Sequence, residues 1–244
     1  MEAGREVPMA SAKAVLGSVL GRFLFTDSRV TQVHERSRAF RQLDCAGPAL
    51  KGQAWTPGDK VQVYLPGLGM RTYTPLSWDE ERGATSFLVY LHGDSPGAKW
   101  GREVKAGDAV SFFGPRRSLA LETGDAPVVL FGDETSFAVA YAFRTAARRD
   151  VTSVFEVTEP GACAPVLREL GIEGQVVTRE PGDAHLAHLY DRLRDALRAK
   201  PGAVLVMTGR AQSIQALRAR LRGDGDRATP KVKAYWSVGK TGLD

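Results

Sequence analysis

The second half of this sequence alternates between short apolar segments and longer segments of helical composition. Residues 128–131 are a continuous apolar run, and residues 134–149 have a helical composition. The alternation continues with predicted strands at residues 151–157, 175–178, 203–207 and 231–236, and with predicted helices at residues 164–170, 185–199 and 212–221. Strands that alternate with helices in this way predict an open parallel sheet with helices on both faces.

The first half contains short strand-like segments separated by turns such as Pro57-Gly58-Asp59. Many short strands with regular turn signals predict a small antiparallel barrel. The six predicted strands are residues 29–34, 38–44, 60–65, 71–74, 86–91 and 109–113. An amphipathic helix is predicted before them, at residues 10–24. The pattern changes near residues 121–126, so we predict a barrel domain at residues 1–122 and an α/β domain at residues 123–244.

The composition narrows the classes of function. The 244 residues are 43% hydrophobic, which is ample for packed cores, and no apolar run is long enough to cross a membrane. The first residues lack a signal-peptide profile, and the two cysteines, Cys45 and Cys163, are far apart, so we expect a cytoplasmic protein without a cysteine-ligated iron–sulfur cluster or another metal site. The net charge of +5 comes from basic residues scattered along helices without interleaved aromatics, which favours solvated helix faces over a nucleic-acid site.

A first candidate site is the segment Arg71-Thr72-Tyr73-Thr74. On a strand, Arg71 and Tyr73 point to the same face, and Thr74 lies where Pro75 is expected to end the pairing. A flavin nucleotide needs a cation for its pyrophosphate, a ring to pack on the isoalloxazine, and hydrogen bonds near its reactive nitrogen. An ordinary strand end with a surface arginine and a half-buried tyrosine would fit the same residues.

A second candidate site runs from His92 to Trp100. Ser95 followed by Pro96 is typical of a helix start, and the small residues Gly97 and Ala98 would let a ligand approach the backbone. The open amides of a helix N-terminus bind phosphate groups, and His92 would add a donor. A capped connector between two strands, with Trp100 in the core, explains the same pattern.

A third candidate site follows the first strand of the α/β domain, at Gly132-Asp133-Glu134-Thr135-Ser136. Ligands of open α/β sheets bind at the carboxyl ends of the strands, and Gly209 and Arg210 follow a later strand at a matching position. Arg210 would then meet a cofactor phosphate or lie on a solvated face, while Asp133 or Thr135 would also serve as a simple helix cap. Neither the dinucleotide fingerprint G-x-G-x-x-G nor a Walker loop is present.

These segments occur in an order that is similar to one known family. The segments are Arg71-Thr72-Tyr73-Thr74, His92-Gly93 through Pro96-Gly97-Ala98 to Trp100, Gly114-Pro115-Arg116, Gly132-Asp133-Glu134-Thr135, and Tyr235-Trp236 followed by Gly239-Lys240. Together they resemble the siderophore-interacting proteins, a flavin-binding branch of the ferredoxin-reductase-like superfamily that includes ferric-siderophore reductases. The resemblance covers nearly the whole chain. The sequence departs from the family pattern at three places. A second arginine is frequent where Pro75 and Leu76 stand, Ala-Ser is usual at Gly97-Ala98, and a glutamate is usual at Arg210.

The resemblance implies a flavin-binding barrel followed by a nucleotide-binding α/β domain, with FAD and NADPH, or else NADH, as cofactors. The residues expected to hold FAD are Arg71, Thr72, Tyr73, Thr74, Val89, Leu91, His92, Gly93, Pro96, Gly97, Ala98, Trp100 and Trp236. The residues expected to face the nicotinamide nucleotide are Asp133, Glu134, Thr135, Ser136, Gly209 and Arg210.

The predicted function is the transfer of electrons from a nicotinamide nucleotide through FAD to a ferric siderophore-type chelate, which releases iron(II). No side-chain nucleophile or general base is required, and Lys240 would attract an anionic chelate. We expect a monomer whose partner is a small ferric chelate or a redox partner. A flavin reductase that serves an oxygenase or another redox protein, and a binding module without catalysis, are the alternatives.

Overall fold

The computed structural model describes residues 25–224 and 229–239. The predicted helix at residues 10–24 and the predicted acceptor residue Lys240 lie outside these ranges. Within them, no helix combines the length and the apolar character needed to cross a membrane.

The first domain is an antiparallel sheet of seven strands in the order β4-β3-β7-β1-β2-β6-β5. All six predicted strands are present, the one at residues 60–65 with the predicted bounds and the other five with shifted ends, and a seventh was missed. The strands are β1 (Thr26–Ser37), β2 (Phe40–Ala46), β3 (Lys60–Leu65), β4 (Gly69–Tyr73), β5 (Pro75–Asp79), β6 (Ala84–Tyr90) and β7 (Ala109–Arg116).

The two edge strands of this sheet, β4 and β5, are joined by the single residue Thr74. Strands at opposite edges can be joined by one residue only if the sheet curls until its edges meet, so the sheet is a barrel, as predicted. The missed strand begins at Pro75, which pairs with Phe87 on β6. Pro75 was expected to end the pairing. It instead starts a new edge strand, a position where the missing N–H of proline costs no ladder hydrogen bond.

One helix, α1 (Pro96–Glu103), connects β6 to β7. It begins as predicted, because the Ser95 hydroxyl accepts a hydrogen bond from the Ala98 amide at 3.3 Å and Pro96 occupies the first turn. Gly101 faces the barrel, where a Cβ atom would lie 2.6 Å from Cγ1 of Val89. Because Gly101 has no side chain, the backbone of α1 packs directly against the side chains of β6.

The second domain is a parallel sheet in the order β10-β9-β8-β11-β12, as the alternation predicted. Its strands are β8 (Val128–Asp133), β9 (Val151–Val157), β10 (Gly174–Thr178), β11 (Val204–Arg210) and β12 (Lys231–Trp236). Its helices are α2 (Phe137–Thr145), α3 (Pro160–Glu169), α4 (Leu186–Ala199) and α5 (Ala211–Gly223), with short 3₁₀ turns at Glu134–Ser136 and Pro181–Asp183 and a third, in the barrel domain, at Pro48–Leu50. Asp133, Gly209 and Arg210 belong to the strands themselves and do not follow them, which corrects the predicted strand ends.

The two domains share a hydrophobic core. The ring of Phe137, at the start of α2, stacks on Phe40 of the barrel at 5.4 Å between centroids and meets Phe155 of the parallel sheet edge-on at 4.8 Å. Leu76 of β5 belongs to the same buried cluster. The connection from Arg116 to Val128 contains the boundary that we propose between residues 122 and 123.

Candidate functional site

A cavity of about 410 Å³ lies between β4, the start of α1, and the carboxyl ends of β8 and β12. It brings together ten of the residues that the sequence singled out. They come from all three candidate segments and from the last strand: Arg71, Thr72, Tyr73, Thr74, His92, Pro96, Gly97, Ala98, Thr135 and Trp236. The segments are up to 165 positions apart in sequence, from Arg71 to Trp236, and barrel closure and domain packing bring them to one place.

Arg71 and Tyr73 point to the same side of β4, as the strand periodicity predicted. A Cβ atom at Gly97 would lie 3.0 Å from the Tyr73 hydroxyl and 3.7 Å from Cγ of Arg71, so both side chains reach the first turn of α1. The Arg71 guanidinium donates to the carbonyl of Met70 at 2.6 Å and forms no ion pair with another residue in the described part of the chain. A cation without a carboxylate partner at a cavity wall is suited to an anionic ligand.

The ring of Tyr73 is held by aromatic neighbours on its barrel side. Its centroid lies 6.0 Å from that of Trp100 and 6.3 Å from that of Phe87. Burial raises the pKa of Tyr73 above its ordinary value, so the phenol stays neutral and keeps its proton as a donor. Trp100 and the side chains of Val89 and Leu91 pack with the barrel core behind this ring and outside the cavity lining.

His92 and Gly93 lie just before α1. The His92 ring stacks on Tyr90 with centroids 5.1 Å apart, and burial lowers the pKa of His92, so the imidazole is neutral near pH 7. Gly93 has a φ of 51°, and its carbonyl accepts a hydrogen bond from Arg102 at 2.5 Å. His92 lines the cavity, while Gly93 shapes the turn beside it.

The turn after β8 directs most of its polar side chains into the protein. Glu134 accepts hydrogen bonds from the Thr158 amide at 2.5 Å and from the Tyr90 hydroxyl at 3.2 Å. The Ser136 hydroxyl accepts from the Asp133 amide at 3.1 Å and from Thr208. Of the four residues expected to face the nicotinamide nucleotide here, only Thr135 lines the cavity among the described residues. Contact of this turn with the nucleotide stays a prediction, and it would be made by Thr135 or by the backbone of the turn.

Asp133 is buried and binds Trp236. Its Oδ2 accepts a hydrogen bond from the indole N–H at 2.7 Å. A Cβ atom at Gly209 would lie only 2.4 Å from that oxygen, so the absent side chain of Gly209 makes room for this carboxylate. Burial is the main cause that raises the pKa of Asp133 to about 6. Gly209 therefore has a structural role that was not predicted, which is to leave space for the Asp133 carboxylate.

Arg210 lies away from the cavity lining and already has a partner. Its guanidinium binds Asp183 through two hydrogen bonds, with Nη1–Oδ1 at 2.5 Å and Nη2–Oδ2 at 3.1 Å. Asp183 lies on the turn after β10 with a φ of 63°, and the ion pair with Arg210 lowers its pKa. A nucleotide phosphate at Arg210 would have to compete with this carboxylate.

Four residues of this region were given no role by the sequence-based predictions. Tyr90 and Tyr235 line the cavity, and the Tyr235 hydroxyl is 3.3 Å from that of Thr74 across the two domains. Lys233 also lines the cavity, and Arg179 lies over the Trp236 ring at 5.5 Å. Tyr235 stands in the family motif Tyr235-Trp236, and Lys233 lies two residues before it on the same face of β12, so the strand period would have pointed to Lys233. Tyr90 ends β6 and His92 lies beyond that strand, so the strand period does not link these two residues. No local signal marks Arg179.

The cavity fits a flavin nucleotide in the chemistry of its walls. The Arg71 cation lies beside the Gly97 amide at the start of α1, where the absence of a side chain leaves the backbone accessible, and these groups together suit a pyrophosphate. The same cavity is lined by Tyr73 and Trp236, whose rings suit a flat heteroaromatic group, and by Thr74 and Thr135, whose hydroxyls can bond its edge.

The sequence matches two family models in succession. Residues 66–119 match the siderophore-interacting FAD-binding domain, and residues 126–239 match the siderophore-interacting protein model. None of the curated proteins compared with the chain matches it in sequence.

Solved structures share the fold at low sequence identity. A siderophore utilization protein from T. fusca has a TM-score of 0.71 and 22% identity, over 90% of this chain and 95% of that one. The siderophore-interacting protein SipS from Aeromonas hydrophila has a TM-score of 0.68 and 18% identity, over 89% and 93%. Phthalate dioxygenase reductase has a TM-score of 0.66 and 16% identity, over 91% of this chain and 71% of that one. With two matching family models that span most of residues 66–239, this chain belongs to the siderophore-interacting proteins and carries their FAD-binding domain.

Proposed function

We propose that this protein is an FAD-dependent oxidoreductase that takes electrons from NADPH, or from NADH, and reduces a ferric siderophore-type chelate. The observation that carries the proposal is the cavity itself, which brings the Arg71 cation, a helix start and two aromatic rings together at the junction of two domains. The fold supports it, since phthalate dioxygenase reductase is described as a structure for electron transfer from pyridine nucleotides.

The side chains bind and orient the cofactor, and none of them acts as an acid or a base in this proposal. When bound, FAD accepts two electrons together as hydride and can release them one at a time. Arg71 and the Gly97 amide hold the pyrophosphate, Tyr73 packs on the ring system, and Thr74 offers a hydroxyl near its edge. His92 is neutral near pH 7 and donates a hydrogen bond without adding charge.

The stoichiometry follows from the electron count. One nicotinamide nucleotide delivers two electrons, and each ferric chelate takes one, so two iron(II) ions are formed for each nucleotide oxidised. Arg71 and Lys233 place two positive charges on the cavity wall, and the net charge of the chain is +5. Both features favour an anionic chelate as the acceptor.

The nucleotide preference that we propose is NADPH, and it rests mostly on the family. Arg210 is the partner that we propose for the 2′-phosphate, and its bidentate contact with Asp183 is the contact that the phosphate would replace. NADH, which lacks this phosphate, would leave the ion pair in place.

The experiment compares electron donors and acceptors under anaerobic conditions. The purified protein is first examined for visible flavin absorbance, then mixed with NADPH or NADH, and finally with ferric tris-catecholate or with oxidised cytochrome c. We expect flavin bands, faster bleaching with NADPH, and iron(II), trapped as a coloured chelate, at two per nucleotide. Bleaching followed by reduction of cytochrome c alone would favour the flavin reductase alternative. A protein without flavin bands would support the non-catalytic module instead.

A further inference from the structure

The indole of Trp236 is held at the cavity wall from two sides. Its N–H donates to Oδ2 of Asp133 at 2.7 Å, and the guanidinium carbon of Arg179 lies 5.5 Å from the ring centroid. Trp236 ends β12, the edge strand of the parallel sheet, where only β11 lies alongside it. An aromatic side chain at an edge-strand end needs such contacts to keep one orientation.

The Asp133 carboxylate is also oriented by contacts other than the indole. Its Oδ1 accepts hydrogen bonds from the Thr135 amide at 2.9 Å and from the Thr135 hydroxyl at 2.5 Å. The open position at Gly209 leaves room for Oδ2. Oδ1 therefore binds the turn after β8, and Oδ2 binds the indole of Trp236. This division of the two oxygens exceeds what a helix cap requires, because a cap uses only Oδ1 here.

Three charged side chains and one neutral phenol surround Asp133. Glu134 follows it in the chain, Glu156 lies on the neighbouring β9, Arg179 follows β10, and the Tyr235 hydroxyl approaches from β12. Arg179 binds Glu134 at 3.2 Å and lies 3.8 Å from Glu156, so its charge is shared. Burial and the carboxylate of Glu134 bring the pKa of Asp133 to about 6, in a range where small changes of pH alter its charge.

We propose that Asp133 is a positioning residue whose ionised Oδ2 fixes the indole of Trp236 as one wall of the flavin cavity. This role deepens the proposed function, on which it rests, because it assigns the orientation of the aromatic wall to one carboxylate. Above pH 6 the hydrogen bond to the indole is charge-assisted. Below it the carboxyl becomes neutral, the bond weakens, and Trp236 gains freedom.

The test uses the indole N–H signals of the purified full-length protein in a nitrogen–proton correlation spectrum. The chain has four tryptophans, and the signal of Trp236 is the one that disappears in Trp236→Phe. In the wild-type protein we expect this signal to shift with pH, with a midpoint near the pKa of Asp133, about 6. In Asp133→Asn it should move towards the position of a weaker hydrogen bond and lose its pH dependence.

Two controls limit the interpretation. Asp183→Asn removes a carboxyl at the same edge of the sheet, one that binds Arg210, and should leave the Trp236 titration unchanged. The Trp78 indole N–H is buried without a hydrogen-bond partner in the described ranges, so its signal should not titrate with the same midpoint.

A Trp236 signal that still titrates in Asp133→Asn, or that does not move on this substitution, overturns the proposal. If the variant fails to fold, the wild-type titration decides, and a Trp236 signal independent of pH between about pH 5 and pH 8 overturns it as well. No nucleotide or ferric chelate takes part in the measurement. If the Trp236 signal titrates but the protein does not reduce ferric chelates, the positioning role of Asp133 is supported and the proposed reaction is rejected.

Discussion

Arg71 is a charged side chain whose neighbours leave it available to a ligand. It donates to its neighbour's carbonyl and has no ion pair with another residue of the described chain, whereas Arg179 and Arg210 are both bound to carboxylates. Its alkyl stem lies against the first turn of α1, beside Gly97. The position of its charge is set by packing, so a ligand meets a preorganised cation.

Replacing Arg71 with alanine should remove most of the bound flavin without unfolding the protein. A charge-assisted hydrogen bond to a phosphate contributes roughly 1.5–3 kcal/mol, which corresponds to about 10- to 150-fold in affinity. The flavin-to-protein absorbance ratio after gel filtration measures the effect, and circular dichroism reports the fold. Arg82→Ala is the matched control, because that side chain is 86% exposed on a turn. Equal flavin content in both variants would exclude Arg71 from the cofactor site.

The sequence predicted the segments that line the cavity more completely than the pairs of buried polar groups behind it. Arg71, Tyr73 and Gly97 were found because short strands and helix starts follow local rules. The partners of the buried polar groups were not, since Asp133 and Trp236 are 103 positions apart and Asp183 and Arg210 are 27 apart. Such pairs depend on which strands become neighbours, and a single sequence carries no local mark of that.

The elements show the same division between local and long-range information. Strands β9 and β12 have the predicted bounds, because each is a strand-like run between clear turn signals. Strand β5 was missed because it begins with a proline and lies one residue after another strand. Its existence follows from barrel closure, which no window of a few residues contains.

Two glycines in helices should respond oppositely to alanine. At Gly101 of α1 the new Cβ would lie 2.6 Å from Val89 and 2.9 Å from Leu91, so overpacking of about 1–3 kcal/mol should exceed the helix gain of about 1 kcal/mol. At Gly161 of α3 a new Cβ would meet no atom within 4 Å apart from its chain neighbours and the helix's own backbone, so Gly161→Ala should stabilise by about 0.4–1 kcal/mol. Urea unfolding of both variants provides the comparison. A stabilised Gly101→Ala would contradict the close packing of α1 on β6.

The whole molecule is held together by one core that belongs to both domains. Phe137 is fully buried and touches an aromatic ring of each sheet, Phe40 in the barrel and Phe155 in the α/β domain. The cavity lies at the same junction, since its walls come from both domains. Domain packing and cavity geometry therefore depend on the same contacts.

Replacing Phe137 with alanine should uncouple the domains. Loss of a buried phenylalanine costs about 3–5 kcal/mol, here shared between the two sheets. In the wild-type protein we expect one thermal transition, with tryptophan fluorescence and helical circular dichroism coinciding. In Phe137→Ala the transition should occur at lower temperature and the two probes should separate. Phe112→Ala, which removes a fully buried ring within the barrel core, is the control for a loss confined to one domain. Coinciding probes in Phe137→Ala would argue that other contacts couple the domains.

The one-residue link at Thr74 also bears on how the molecule forms. Strand β4 pairs with β3, and β5 pairs with β6. Because one residue joins β4 to β5, the position of one of these strands fixes the position of the other. Closing the barrel also requires β1 to pair with β7, about 80 residues further along the chain. Pairing between segments this far apart in sequence is a slow step in folding. A chain caught before that step would have Arg71 and Tyr73 on an unclosed edge, with neither α1 nor Trp236 opposite them. Cofactor capture is therefore expected to be a late event in folding, and free flavin can select only chains whose barrel is already closed.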